Sequence, residues 1–208
     1  MGNEGNIHER VKLMKQSFRQ VMDGSVSRSM RDKGVDYSLN WGATLPRLRQ
    51  IADEEGKDYA LAVELWKEDI RECKILATMI MPYDRMTAEL AQLWMEQTPT
   101  QEIAEQAAFN LYQHIECAPQ LAFEWIASDK ELYQLCGYHI LSRLFMNGQE
   151  PNERGINEFV DQALTAIQGN SVAVKKAAMN SVQRFAGLGL VYKRLAKSAL
   201  NRFNLDFL

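Results

Sequence analysis

Apolar positions recur along most of the chain at the three-to-four residue spacing of a helix that buries one face. Between Thr44 and Pro82 the pattern is clearest: Leu61, Leu65 and Trp66 form one stripe, Lys67, Glu68 and Asp69 interrupt it, and Ile70, Cys73, Ala77 and Ile80 resume it. Neither stripe can be buried by its own short helix, so the segment predicts a helix, a tight break and a second helix. Upstream, residues 5–23 predict an amphipathic helix with Val11, Met14, Phe18 and Val21 inward, stopped at Gly24 and Ser25, and Gly34 to Gly42 is irregular. Pro46 suits the first turn of the next helix and Gly56 its end. Further on, Thr98, Pro99 and Gln101 have capping-box spacing, which predicts a helix from Pro99 to Ile115 with Ile103, Ala107, Leu111 and Ile115 inward. Pro119 opens another helix, Asp129 is placed to cap the next, and NGQEPNERG at 147–155 is a loop. The stripe of Ile156, Phe159, Ala163, Leu164 and Ile167, then Val172 to Phe185, then a segment from Tyr192, complete the series.

No period-two segment of strand length bounded by hairpin turns occurs, which predicts an all-α chain. Helix pairs near 58–81, 84–115, 119–146 and 156–186 recur at roughly 35–40 residues, the spacing of HEAT-like arrays. The expected fold is therefore a HEAT-like helical-repeat superhelix, a right-handed α-α solenoid with a concave face. It is expected to form a single domain over 1–208, with 1–43 as an N-terminal helical cap.

Charge changes the picture more than composition does. The formal net charge is −3 and the pI about 5.7, which argues against a uniformly basic surface. The charges are nevertheless segregated: residues 1–49 carry nine Lys/Arg against five Asp/Glu, 171–208 seven against one, and 50–170 eight against twenty-one. Both ends are basic around an acidic centre, so a local positive face is compatible with a negative total. The cysteines, Cys73, Cys117 and Cys136, are odd in number, form no C-x-x-C pair and read as buried thiols of a reducing cytoplasm. The amino-terminal residues lack an apolar signal region, Asn6 stands where acylation requires Ser or Thr, and no apolar run approaches the roughly 20 residues that span a bilayer. A cytoplasmic protein without membrane contact is expected.

Three passages resemble the AlkD-type DNA alkylation repair family, helical HEAT-like proteins that excise cationic alkylated purines. LPRLRQIA at 45–52 is similar to the family's P-x-L-R helix. LWKEDIRECKILA at 65–77 resembles its L-W-x-S-x-x-x-E hairpin, with Leu65, Trp66, Glu72 and Ala77 in place. AVKKAAMNSVQRFA at 173–186 resembles its late helix. The resemblance implies a DNA glycosylase-like scaffold that binds duplex DNA, alkylated DNA included, on a concave basic face; no cofactor or metal is expected, because the residues show no ligand spacing or nucleotide motif. Active members carry a W-D-x-x-D run whose second aspartate faces the lesion. The matching run here is Gln101, Glu102, Ile103, Ala104, Glu105, so Glu105 is the candidate catalytic carboxylate and Gln101 replaces the aromatic residue. A carboxylate there would stabilise the positive charge that develops on the sugar. The family's W-x-x-R matches Tyr133, Gln134, Leu135 and Cys136, and its late W-x-L-R matches Asn180, Ser181, Val182 and Gln183, so these aromatic and basic positions are otherwise occupied. The scaffold is implied more strongly than the excision.

Each candidate has a plainer alternative. Glu105 is also what a solvated helix face would carry, and Gln101 would serve as the partner in a capping box. Trp41, Trp66, Trp94 and Trp125 could stack on bases in a groove, although their apolar neighbours suit packing between helices for at least three of them. Lys175, Lys176, Arg184, Lys193, Arg194, Lys197 and Arg202 are the candidate phosphate contacts, with Arg47 and Arg49 as a second group; the alternative is a solubilising end cap of the array. A non-catalytic scaffold for an acidic protein partner is the competing function. His8, His114 and His139 have no metal-ligand spacing, and GLGL at 187–190 follows a helix where a dinucleotide fingerprint needs a strand. Oligomeric state is left open.

Overall fold

The structure is a computed structural model that describes residues 2–35, 37–205 and 207–208. Asp23 decides how the chain begins to fold. Its carboxylate accepts the backbone N–H groups of Ser25 and Val26 at 2.9 and 3.2 Å, which caps a new helix at the point where the sequence predicted only a stop. The result is α1 (Gly2–Gln20) followed by α2 (Gly24–Asp32). Of the stripe expected to face inward on α1, Val11 and Phe18 are buried and Met14 and the following Val21 are half-buried.

The helices that follow fall into the expected pairs. α3 (Leu45–Glu55) has its proline at the amino-terminal end and closes at Gly56, whose φ of 71° favours glycine. α4 (Tyr59–Lys67) pairs with α5 (Arg71–Ile80), and α6 (Ala88–Glu96) with α7 (Gln101–Asn110). After a 3-10 turn come α8 (Ala118–Ile126) with α9 (Glu131–Met146), α10 (Glu153–Gln168) with α11 (Val172–Ala186), and finally α12 (Leu190–Asn201). Among the described residues there is no strand, and an isolated bridge joins Leu39 to Ile70. No described helix is long and apolar enough to cross a membrane.

Two caps fall elsewhere than the spacing suggested. α7 starts two residues late, because Thr100 rather than Thr98 accepts the N–H of Ile103. Thr98 is buried and donates its hydroxyl to the Trp94 carbonyl at 2.9 Å, so it belongs to the end of α6. Gln101 becomes the first helical residue and not the reciprocal partner of a capping box, and the helix ends at Asn110 instead of Ile115. α9 has Lys130 at its N-cap with no side-chain cap, so Asp129 does not play that role.

The chain forms two compact units, Met1–Leu111 and Tyr112–Leu208. In the first, α3, α4 and α7 all pack on α5, and α1 packs on α4. This leaves α5 buried on nearly every side, its two charged opening residues Arg71 and Glu72 included. Trp66 of α4 stacks face to face on Trp94 of α6, with ring centroids 4.2 Å apart and planes within 1°. In the second unit α8 packs on α9, α9 on α11, and α11 on α10 and α12. The α8–α9 approach depends on Gly137, where a Cβ would lie 2.9 Å from the Ala122 oxygen and 3.0 Å from the Ile126 nitrogen. Phe145, Phe159 and Phe185 fill the centre with centroid separations of 5.0 to 5.5 Å. Cys73 and Cys136 are buried, whereas Cys117 is half-buried and not enclosed as expected.

Candidate functional site

The hairpin residues that carried the family resemblance are structural. Leu65, Trp66, Glu72 and Ala77 are all buried. Glu72 accepts the N–H groups of Ala43 at 3.1 Å and Trp41 at 3.3 Å, pinning the irregular segment before α3 against α5. Arg71 next to it grips Glu102 of α7 in a two-pronged pair at 2.8 and 2.6 Å, and donates to the Ala43 carbonyl at 2.9 Å and to Glu72 at 3.2 Å. Tyr37 donates its one hydroxyl proton to Glu102 at 2.6 Å, so Thr100 supplies the proton in the 2.8 Å Tyr37–Thr100 contact. Burial pulls the Arg71 pKa down, but the Glu102 carboxylate outweighs it and holds the guanidinium above its ordinary range. Burial, and then Glu102, push the Tyr37 hydroxyl far up. Arg71 therefore stays charged and Tyr37 neutral near neutrality, and their hydrogen bonds brace the unit. Its members lie 31 and 65 residues apart, so no local spacing in the sequence announces it.

Glu105 sits half-buried on α7, and the Gln101 side-chain amide donates to it at 2.8 Å, one turn earlier. The aromatic wall that a flipped or extruded base would need is not assembled from the tryptophans. Trp66, Trp94 and Trp125 are buried packing residues, and half-buried Trp41 lies against Phe18 and Arg19. At the two runs where active relatives carry aromatic and basic residues, Tyr133 and Cys136 are buried within α9, and Asn180 of α11 bonds to Ser142 at 3.4 Å. A cleft of about 610 Å³, ligand-sized by the usual range of roughly 300–1,000 Å³, opens in the second unit over Phe123, Leu144 and Phe145, with Gln149, Arg154 and Glu158 at its rim. Glu105 does not line it.

The basic candidates divide by unit. Lys176 and Arg184 of α11, and Lys193, Arg194 and Lys197 of α12, are exposed, Lys175 is half-buried, and Arg202 follows α12. Among the described residues none of these cations has a carboxylate within ion-pair distance, whereas the ion pairs found, such as Arg10 with Asp58 and Lys15 with Glu68, all lie in the first unit. Arg47 and Arg49 are exposed on α3 of the first unit, where Arg47 donates to Gln50.

α12 also carries residues that no motif or charge count singles out. Leu190, Val191 and Leu195 are 76%, 66% and 41% exposed, while the residues it buries are Ala196, Ala199 and Leu200. Tyr192 packs edge-on to Phe185 at 5.2 Å, and the two alanines among the packed positions were the available signal that Leu190, Val191 and Leu195 lie elsewhere.

A family model described as "DNA alkylation repair enzyme" matches residues 14–177. Among solved structures, the chain is similar to one reported as "A new family of proteins related to the HEAT-like repeat DNA glycosylases with affinity for branched DNA structures". The TM-score is 0.78 at 19% identity, covering 91% of this chain and 80% of that one. No curated protein gives a significant match. The all-α architecture and the paired helices of each unit are thus those of the HEAT-like repeat fold.

Proposed function

The chain belongs to the family of DNA alkylation repair enzymes, and from that premise we propose that it binds DNA through the basic face of α11 and α12 and does not excise bases efficiently. The observation that carries this reading is the set of exposed cations on those two helices, Lys176, Arg184, Lys193, Arg194 and Lys197, for which the described residues supply no carboxylate partner. Cations left without internal ion pairs are available to phosphates, and DNA docking there releases condensed counterions. The affinity for branched DNA reported for the structural neighbour supports this reading.

Against efficient excision stand the residues themselves. Gln101 occupies the aromatic position and turns its amide to Glu105, Asn180 at the late aromatic position bonds to Ser142, and the late arginine position is the uncharged Gln183. A carboxylate by itself can still favour a sugar cation electrostatically, but without an aromatic enclosure the base is not held, and misplacement near 1 Å can cost about a hundredfold in rate.

The test uses the purified protein with duplex and branched DNA in a salt series, and with duplex bearing 7-methylguanine or 3-methyladenine. Expected are retention that weakens steeply with salt and no base release above the spontaneous rate. Release that Glu105→Gln abolishes would make the protein a glycosylase. Absence of retention at low salt would remove DNA as its partner and favour the acidic protein partner.

A further inference from the structure

An exposed helix on the edge of a folded unit ordinarily turns its large apolar residues inward and its small or charged residues outward. α12 follows this only in part, because Leu190, Val191 and Leu195 are left outward beside its exposed cations. It packs on α10 and α11 through Ala196, Ala199 and Leu200, with half-buried Tyr192 edge-on to Phe185 at 5.2 Å. Leu190 and Arg194 are four apart, as are Val191 and Leu195, so the four form two adjacent rows on the outward face. The apolar members are 76%, 66% and 41% exposed. No acidic residue lies in α12; Arg194 sits within these rows, Lys193 and Lys197 are exposed on the same helix, and exposed Arg202 follows its end. Leaving three large aliphatic side chains in water has a cost of its own, and contiguous apolar surface of this kind marks contact sites.

The charges decide which contact. These cations have no ion-pairing carboxylate among the described residues, the nearby Glu150 being engaged with the Tyr192 hydroxyl, so they favour a polyanion, and the apolar side chains beside them favour one that presents an apolar surface. Continuous duplex DNA does not offer such a surface until a base step has been pried apart, which costs stacking energy. Branched DNA does: at the branch point the stack is interrupted and the outer faces of the terminal base pairs are open to aliphatic side chains. Resting on the DNA-binding reading above, we infer that Leu190, Val191 and Leu195 form a wedge that packs on the open base pairs of a branch point, while the neighbouring cations hold the phosphates of the arms. The wedge makes the protein select branched over linear DNA; the cations bind both.

The experiment measures affinity by fluorescence anisotropy for a three-way junction and for a linear duplex with the same arm sequence, at one fixed salt concentration. The parent is compared with the triple variant Leu190→Ala, Val191→Ala, Leu195→Ala, and with Arg194→Gln, Lys197→Gln. All five side chains are exposed, so an unchanged melting temperature is expected and is checked first. The expected result is a junction preference in the parent that falls on the order of tenfold in the alanine variant, with affinity for the linear duplex unchanged. The glutamine variant weakens both substrates alike. A parent without junction preference, an alanine variant that keeps it, or one that loses affinity for both substrates equally would each overturn the wedge while leaving DNA binding intact. A parent that retains neither substrate at low salt would overturn the DNA-binding reading itself.

Discussion

Replacing Arg71 by methionine is the sharpest test of the bracing role given to the cluster around α5. The residue is 2% exposed, and its guanidinium makes four hydrogen bonds, two to Glu102 and one each to the Ala43 carbonyl and Glu72. Methionine fills a similar volume but leaves Glu72 buried with two backbone donors and no cation, and leaves Glu102 with Tyr37 alone. Removing one partner of a buried pair costs about 3–5 kcal/mol, because the remaining charge is uncompensated. That is a large share of the roughly 5–15 kcal/mol that holds a typical domain together. Urea unfolding followed by tryptophan fluorescence should show the midpoint shift, since the Trp66–Trp94 stack reports on the first unit. Combining Arg71→Met with Glu102→Gln should recover part of the loss, because the stranded carboxylate is then gone. Amide exchange should quicken first at Trp41 and Ala43. A single-variant loss below about 1 kcal/mol, or a double variant whose loss equals the sum of the singles, would refute the claim that these charges act as one buried unit.

Three further outcomes follow from particular side chains. Burial raises the Asp58 carboxyl, but the Leu61 N–H and the Arg10 guanidinium outweigh it and hold its pKa below the ordinary 3.8. The stability from this pairing is therefore complete above that value and is lost as pH falls through the depressed one. Melting temperature should drop on acidification below about pH 4, and Asp58→Asn should flatten that part of the curve; an unchanged acid slope in the variant would refute the assignment. Gly137→Ala should destabilise the second unit by about 1–3 kcal/mol through overpacking, although alanine is the better helix former; a melting temperature at or above that of the parent would show that α8 and α9 can part freely. Neutralising Lys193, Arg194 and Lys197 together should reduce the slope of log affinity against log salt by about one unit for each phosphate no longer paired with a cation, and an unchanged slope would place the DNA elsewhere.

The four helix pairs were legible because apolar periodicity survives almost any local variation, and the deep burial of Trp66, Trp94 and Trp125 was legible from their apolar neighbours. Start points were less so. Thr98 and Thr100 are both competent caps, and the choice is made by the Trp94 carbonyl, which captures the Thr98 hydroxyl. The Arg71–Glu102 pair joins helices through residues 31 apart and leaves no local signature. The outward apolar face of α12 was hidden for another reason: a pattern of hydrophobic positions says that a residue is apolar, not that its helix will pack on alanines instead. The basic residues were found by counting charge, but their lack of carboxylate partners is visible only in three dimensions.

The unequal enclosure of the three cysteines sets how this protein meets electrophiles. Burial drives the thiols of Cys73 and Cys136 far above their ordinary pKa, so both stay protonated and out of reach of reagents that attack thiolates. Cys117, half-buried at the N-cap of α8, is the most accessible of the three. Thiol-directed labelling of the native chain should therefore favour this residue over Cys73 and Cys136, which are reached only on unfolding.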